Sequence, residues 1–260
     1  MTGKRALYRR TPCTKTPCSV LYLVGIYIRM GENMQKNTHA QPPKNTQTNA
    51  PNPFLVILAN SIGYNGFAFA NVLRLPYFSI KKKAVKNREI NRDNILQFPL
   101  NGQRLGKLKD MRIGNCSFAG SGCGAIATFN ALSLSGIQPD MVDIVDFYEH
   151  KGLILNAGWG TNPVAVKNYL SGKGLSLKCF KGSESLRVCL QKDETAILLY
   201  WWVTAKECGA HYVSIEPCEQ GIRIYNVFGD RDAAYEYENI RTFIEKGTYK
   251  KAVYLIVMKR

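Results

Sequence analysis

From Met111 onward, apolar and polar residues alternate at spacings that name their elements, whereas before it the apolar residues come in isolated blocks. Ile126, Phe129, Asn130 and Leu134 recur at helical spacing and predict a helix over 123–135. A second helix is predicted over 140–151. Met141, Ile144, Val145 and Tyr148 share one face, and Asp140 and Asp143 sit at the N-terminal end, where the helix dipole favours acids. Thr161 or Asn162 caps a third helix, which carries Pro163 in its first turn and stops at Gly172 or Gly174. A strand over 175–180 and a short Ser-capped helix over 183–193 follow.

The remaining pattern is mainly β. The run AILLYWWV, 196–203, has the length and apolarity of a buried strand. HYVSIEP and GIRIYNVF alternate, and CEQG between them reads as a hairpin turn. A helix over 238–247 and a last strand over 250–259 close the sheet. Helices first and an antiparallel sheet second predict an α+β fold, with a helical half packed on a sheet half.

Residues 1–109 read differently, as a basic, poorly structured N-terminal extension to a domain over 110–260. The stretch QKNTHAQPPKNTQTNAPNP is polar and without periodicity, so residues 1–50 are expected to lack structure. Cys18 to Ile28 resembles a signal-peptide apolar region but lacks a small-residue cleavage site, and an accidental apolar run is the simpler reading. The uncharged block 54–73 is about the length of a membrane span. Asn60, Asn65, Asn71 and two glycines make it a poor one, so membrane association of this region is the alternative to a cytoplasmic chain. Met34 and Met111 are alternative start positions.

Charge sharpens this division. Residues 1–110 hold 18 Lys and Arg against 4 Asp and Glu, and residues 111–260 hold 17 against 15. The second part therefore lacks an electrostatic motive for binding nucleic acid. Eight cysteines without a C-x-x-C pair, and only three histidines, give neither a disulfide scaffold nor zinc-ligand spacing. Reduced thiols, no metal and no organic cofactor are expected.

The candidate chemistry centres on SGCGAIATFNALSLSG. Gly122 and Gly124 remove side chains around Cys123, so a substrate backbone is expected to approach closely. A helix starting at Cys123 would aim free N–H groups at the sulfur, favour the thiolate and hold an oxyanion. Such a nucleophile wants an imidazole. His211 opens the HYVSI strand 88 residues later, whereas His39 lies in the polar tail and His150 at a helix end. Asn226, on the next strand, would orient the imidazole as in a Cys-His-Asn triad, with Asp230 as the fallback. Cysteine is also among the most buried residue types, so packing is the competing reading for Cys123.

In this order, SGCGAIATFNALSLSG, GWGTNPVAVKNYLSGKG, HYVSI and YNVFGD resemble papain-like cysteine peptidases, in particular the compact bacterial C39-like branch. The resemblance covers about residues 110–260. It implies a papain-like fold and hydrolysis of a peptide or isopeptide bond through a thioester, with a peptide or protein as substrate. Cys123 would be the nucleophile, His211 the base and then acid, and Asn226 the orienter. The family commonly carries a Gln about six residues before the cysteine. Here that position is Ser117, and Asn115 is an amide at a different spacing. Two alternatives therefore stand beside the peptidase: an inactive papain-like domain that binds a peptide or protein, and an acyltransferase on the same triad.

Overall fold

The computed structural model describes residues 50–69, 77–94 and 96–259. Contacts divide the chain into two units, Met1–Gln41 and Pro42–Arg260, and every described residue belongs to the second. The expected lack of structure over 1–50 and the apolar run at Cys18 to Ile28 lie outside the described residues, apart from Ala50. The second unit mixes helices with an antiparallel sheet.

The helical half is built around one buried helix. Helix α5 (Cys123–Leu134) is preceded by the short α4 (Phe118–Ser121), and residues 123–132 are all buried. A helix apolar on every side needs neighbours on every side. It finds them in α6 (Met141–Lys151), α7 (Pro163–Ser171) and two strands of the sheet, β4 (Glu194–Val203) and β5 (Cys208–Cys218). The caps behave as the sequence predicts. Asp140 accepts from the amides of Val142 and Asp143, and Asn162 accepts from Val164 N with Pro163 at the first position.

The large sheet adds β3 (Ser176–Lys181), β6 (Gly221–Tyr225), β7 (Tyr235–Tyr237) and β8 (Tyr249–Lys259), in the order β3-β8-β4-β5-β6-β7. Each neighbouring pair is antiparallel. The last strand of the chain lies inside the sheet, between β3 and β4. Its residues 252–258 are all buried, which suits an interior strand. One sheet face carries Ala196, Leu198, Tyr200, Val213, Ile215 and Leu255 against Ile240, Phe243 and Ile244 of helix α8 (Ile240–Glu245). The alternate residues serve the helical side, where Tyr212 OH donates to the Thr161 carbonyl at 2.9 Å.

One predicted element is corrected. The helix expected over 183–193 is only a 3₁₀ turn, Gly182–Arg187, and the chain is extended by Val188. Leu186, Val188 and Leu190 pack against the sheet core, and that packing holds the chain extended beyond Arg187.

The block 54–73 is broken within its described part. Helix α1 (Pro53–Ser61) ends at the extended residue Ile62, and α2 (Tyr64–Phe69) follows. No helix among the described residues is long and apolar enough to cross a membrane. The apolarity serves packing. Leu55, Leu58, Ala59 and Phe67 are buried, Trp201 Nε1 donates to the Ile62 carbonyl, and Asn162 Nδ2 donates to the Phe67 carbonyl. The basic helix α3 (Tyr77–Arg92) turns Ala84, Asn87 and Asn91 inward and leaves Lys81, Lys82 and Lys83 exposed. It docks on α6 and on a small hairpin of β1 (Arg112–Ile113) and β2 (Cys116–Ser117).

Candidate functional site

Strands β5 and β6 pair from Ser214↔Tyr225 to Cys218↔Gly221 and no further toward the start of β5. Beyond Tyr225 the chain turns away at Asn226, whose φ of 60° is left-handed. The first residues of β5 keep their partner β4 on one side, from Val203↔Cys208 to Leu199↔Tyr212, and lose β6 on the other. The N-terminus of α5 fills this opened edge. Cys123 is a free, buried cysteine, and the backbone amides of Tyr212 and Gly124 beside it pull its thiol pKa down. Cys123 is thus the first residue of α5, with an amide of β5 beside it.

His211 is the residue beside Tyr212. Its Nε2 lies 2.6 Å from the Asn226 carbonyl oxygen. A carbonyl only accepts, so Nε2 carries the proton and Nδ1 is left with its lone pair. The ring also packs edge-on against Tyr200, 5.8 Å between centroids.

Asn226 meets the imidazole through its main chain, not through the side-chain amide expected of an orienter. The side chain is fully buried, and neither Oδ1 nor Nδ2 has a hydrogen-bond partner. Its own N–H donates to Asn101 Oδ1 at 2.8 Å. Asp230 is exposed beside Arg231, and the imidazole's hydrogen bond does not go to it. His150 is half-buried at the end of α6, with Nδ1 2.7 Å from the Asp146 carbonyl.

Burial reverses the expected electrostatics. The helix N–H groups pull the Cys123 thiol pKa down, but desolvation is the larger effect and pushes it above its ordinary value. Desolvation also holds His211 below its ordinary value; the Asn226 carbonyl opposes this and the Arg104 guanidinium adds to it. Both shifts favour the neutral forms, so the resting pair is thiol and imidazole.

The flanking glycines serve packing rather than open access. A Cβ at Gly122 would lie 2.5 Å from the Phe118 ring, and one at Gly124 would lie 2.7 Å from Thr161 Oγ1. Gly124 thus lets the helix start close against the loop that caps α7.

Neither Ser117 nor Asn115 supplies the side-chain donor expected before Cys123. Ser117 is half-buried and makes no capping hydrogen bond, and Asn115 is exposed in the β1–β2 turn. A glutamine arrives from elsewhere: Gln103 Nε2 donates to the Ala119 carbonyl at 2.9 Å, and its buried Oε1 has no partner.

Residues 98–105 form the part of the site that the sequence did not announce. They run beside the turn after β6, with Phe98 5.2 Å from Tyr225 between ring centroids, Asn101 on Asn226, and Arg104 N donating to the Gly229 carbonyl at 2.7 Å. Leu100 exchanges two hydrogen bonds with the Asn130 side chain of α5. The Asn-Gly pair at 101–102 signals a turn, but nothing local connects it with a cysteine in another element.

Among the described residues, no group of His, Cys, Asp and Glu is arranged to hold a metal ion. No protein-family model and no curated protein matches the chain.

Proposed function

We propose that residues 110–260 form a papain-like thiol hydrolase that cleaves a peptide or isopeptide bond, with Cys123 as nucleophile and His211 as base and then acid. One observation carries the reading: Cys123, the first residue of α5, lies beside the amide of Tyr212, the residue next to a histidine whose Nε2 is already committed to Asn226 O. The helix that begins at Cys123 and the strand that bears His211 thus pack against each other.

In this mechanism Nδ1 takes the thiol proton as sulfur attacks the substrate carbonyl carbon. Charge develops on the carbonyl oxygen near the helix N–H groups. The C–N bond breaks, the imidazolium gives its proton to the leaving amine, and a thioester remains. Water then adds to the thioester, with His211 again taking the proton, and releases the acid and the thiol. Because the resting pair is neutral, proton transfer accompanies attack instead of preceding it. The Asn226 carbonyl keeps the ring in the productive tautomer.

The test uses peptidyl acyloxymethyl ketones, which require attack by an active-site sulfur, followed by mapping of the adduct by mass spectrometry. The expected result is faster labelling of Cys123 than of the exposed Cys179 and Cys189, with loss of the Cys123 adduct in His211→Ala. Adducts on Cys179 and Cys189 alone would overturn the hydrolase. That outcome would favour the second reading, an inactive papain-like domain that binds a peptide or protein, for which the burial of Cys123 and its raised thiol pKa are the supporting observations.

A further inference from the structure

We infer, resting on the hydrolase reading, that Arg104 selects substrates bearing a carboxylate beside the bond to be cleaved. Arg104 is an exposed cation close enough to His211 for its charge to act on the imidazole. Its position is built. The backbone N–H is anchored on the Gly229 carbonyl, and the side chain runs along Gly229 itself. A Cβ there would lie 3.4 Å from Nε and 3.5 Å from Cδ and Cγ, ordinary contact distances, so the arginine stem lies packed along this glycine. Asn101 holds the same two segments together one step closer to the imidazole, through its hydrogen bond to Asn226.

Among the described residues, no carboxylate forms an ion pair with Arg104. The other arginines of this sheet end are engaged: Arg223 with Glu216 and Glu236, and Arg231 over the Phe228 ring and bonded to Tyr235. The guanidinium is a planar fork of donors that matches a carboxylate with two parallel hydrogen bonds. Leu105 and Phe228, the chain neighbours of Arg104 and Gly229, are 37% and 40% exposed. The ligand chemistry is a carboxylate, and its two sources are an Asp or Glu side chain and a free C-terminus.

The experiment compares three peptide pools with the full chain: acidic residues with an amidated C-terminus, a neutral sequence with a free C-terminus, and the Asn and Gln isosteres with an amidated C-terminus. The expected kcat/KM for one carboxylate pool exceeds that for the isosteres by about 10–100-fold, the range of a charge-assisted pair. Whichever pool wins identifies the source. Arg104→Ala removes the preference, Arg104→Glu reverses it in favour of the isosteres, and Lys107→Ala, an equal change in net charge nearby, preserves it. Equal rates for all pools, or an equal loss of preference in Lys107→Ala, would overturn the inference.

A parallel measurement separates this inference from the hydrolase reading: binding of the same labelled pools to the full chain carrying Cys123→Ala, with and without Arg104→Ala. Arg104-dependent retention of carboxylate peptides supports the inference even if the wild type cleaves nothing and Cys123 takes no adduct. Equal retention of all pools, or retention of none, overturns it.

Discussion

Two buried polar clusters flank the helical half, and they handle their hydrogen bonds in opposite ways. In the first, α3 meets α6: Asn87 donates to Glu149 and to the Gly114 carbonyl, Gly114 N donates to Glu149, and Asn91 exchanges two bonds with the Arg112 backbone. In the second, around Cys123, the Asn226 amide, Thr161 Oγ1 and Gln103 Oε1 are buried without partners. A buried polar group without a partner costs about 1–3 kcal/mol. The first cluster is a clasp that holds a basic helix to the fold. The second leaves buried groups unpaired around the proposed nucleophile, the pattern expected where local stability gives way to a functional arrangement.

Breaking each cluster should therefore show up in different measurements. The largest effect is expected at the sulfur: Cys123→Ala lowers turnover by about 10⁴–10⁶-fold, and His211→Ala by about 10²–10⁴-fold, in a peptide-cleavage assay, both with cooperative unfolding retained. Loss of the folded state in either variant would make that cluster a clasp as well.

Next in size is Glu149→Ala, which strands the Gly114 N–H and the Asn87 amide and costs about 2–3 kcal/mol in urea unfolding. Turnover per folded molecule should be unchanged. A variant as stable as the wild type would remove the distinction between the two clusters.

Asn226 isolates the backbone role. At φ 60°, Asn226→Gly relieves a left-handed residue and Asn226→Ala does not, so the Gly variant should be more stable by about 1 kcal/mol. Because both retain the carbonyl that holds His211, turnover should fall less in Asn226→Gly than in His211→Ala. An equal fall would restore the side-chain amide as the orienter.

The smallest effects are in pH dependence, and their signs differ. Burial raises the Glu149 carboxyl pKa, against the pull of Asn87 and Gly114 N. Its stabilising contribution is full below the ordinary 4.5 and is lost as pH rises through the raised value. Glu149→Gln should therefore gain on the wild type as pH rises from 4.5. The depressed imidazole behaves in reverse: its contribution is present above 6.5 and is lost as pH falls through the lowered value, a slope absent in His211→Gln. Urea unfolding across about pH 4–8 reads both. The raised thiol makes a matching forecast. Iodoacetamide labelling of Cys123 should accelerate toward and above about pH 9, whereas a plateau below about pH 7 would reveal a preformed thiolate–imidazolium pair.

Several of these features were legible in the chain. Asp140 and Asn162 announce helix starts because a cap is a local arrangement between a side chain and the next two or three amides. The β5–β6 hairpin reads from its alternation, and Glu219 and Gln220 form its turn. The placement of Cys123 at a helix start and His211 near the start of a strand follows from the same short-range signals. Other features were illegible because they depend on distant neighbours. Gly122 and Gly124 look like room for a substrate until Phe118 and Thr161 are seen against them. Asn226 looks like a side-chain orienter until its left-handed backbone turns the carbonyl to the ring. Ser183 looks like a helix cap until Leu186, Val188 and Leu190 are seen packed on the sheet.

The sequence by itself determined the α+β order of elements, their caps and turns, and which residues bear the candidate chemistry, since each of these is settled within a few residues of chain. The tertiary structure alone decided that β8 threads the middle of the sheet, that residues 98–105 border the site, and that thiol and imidazole rest neutral. Strand order, loop apposition and desolvation arise from groups brought together across the fold, and no local pattern encodes them.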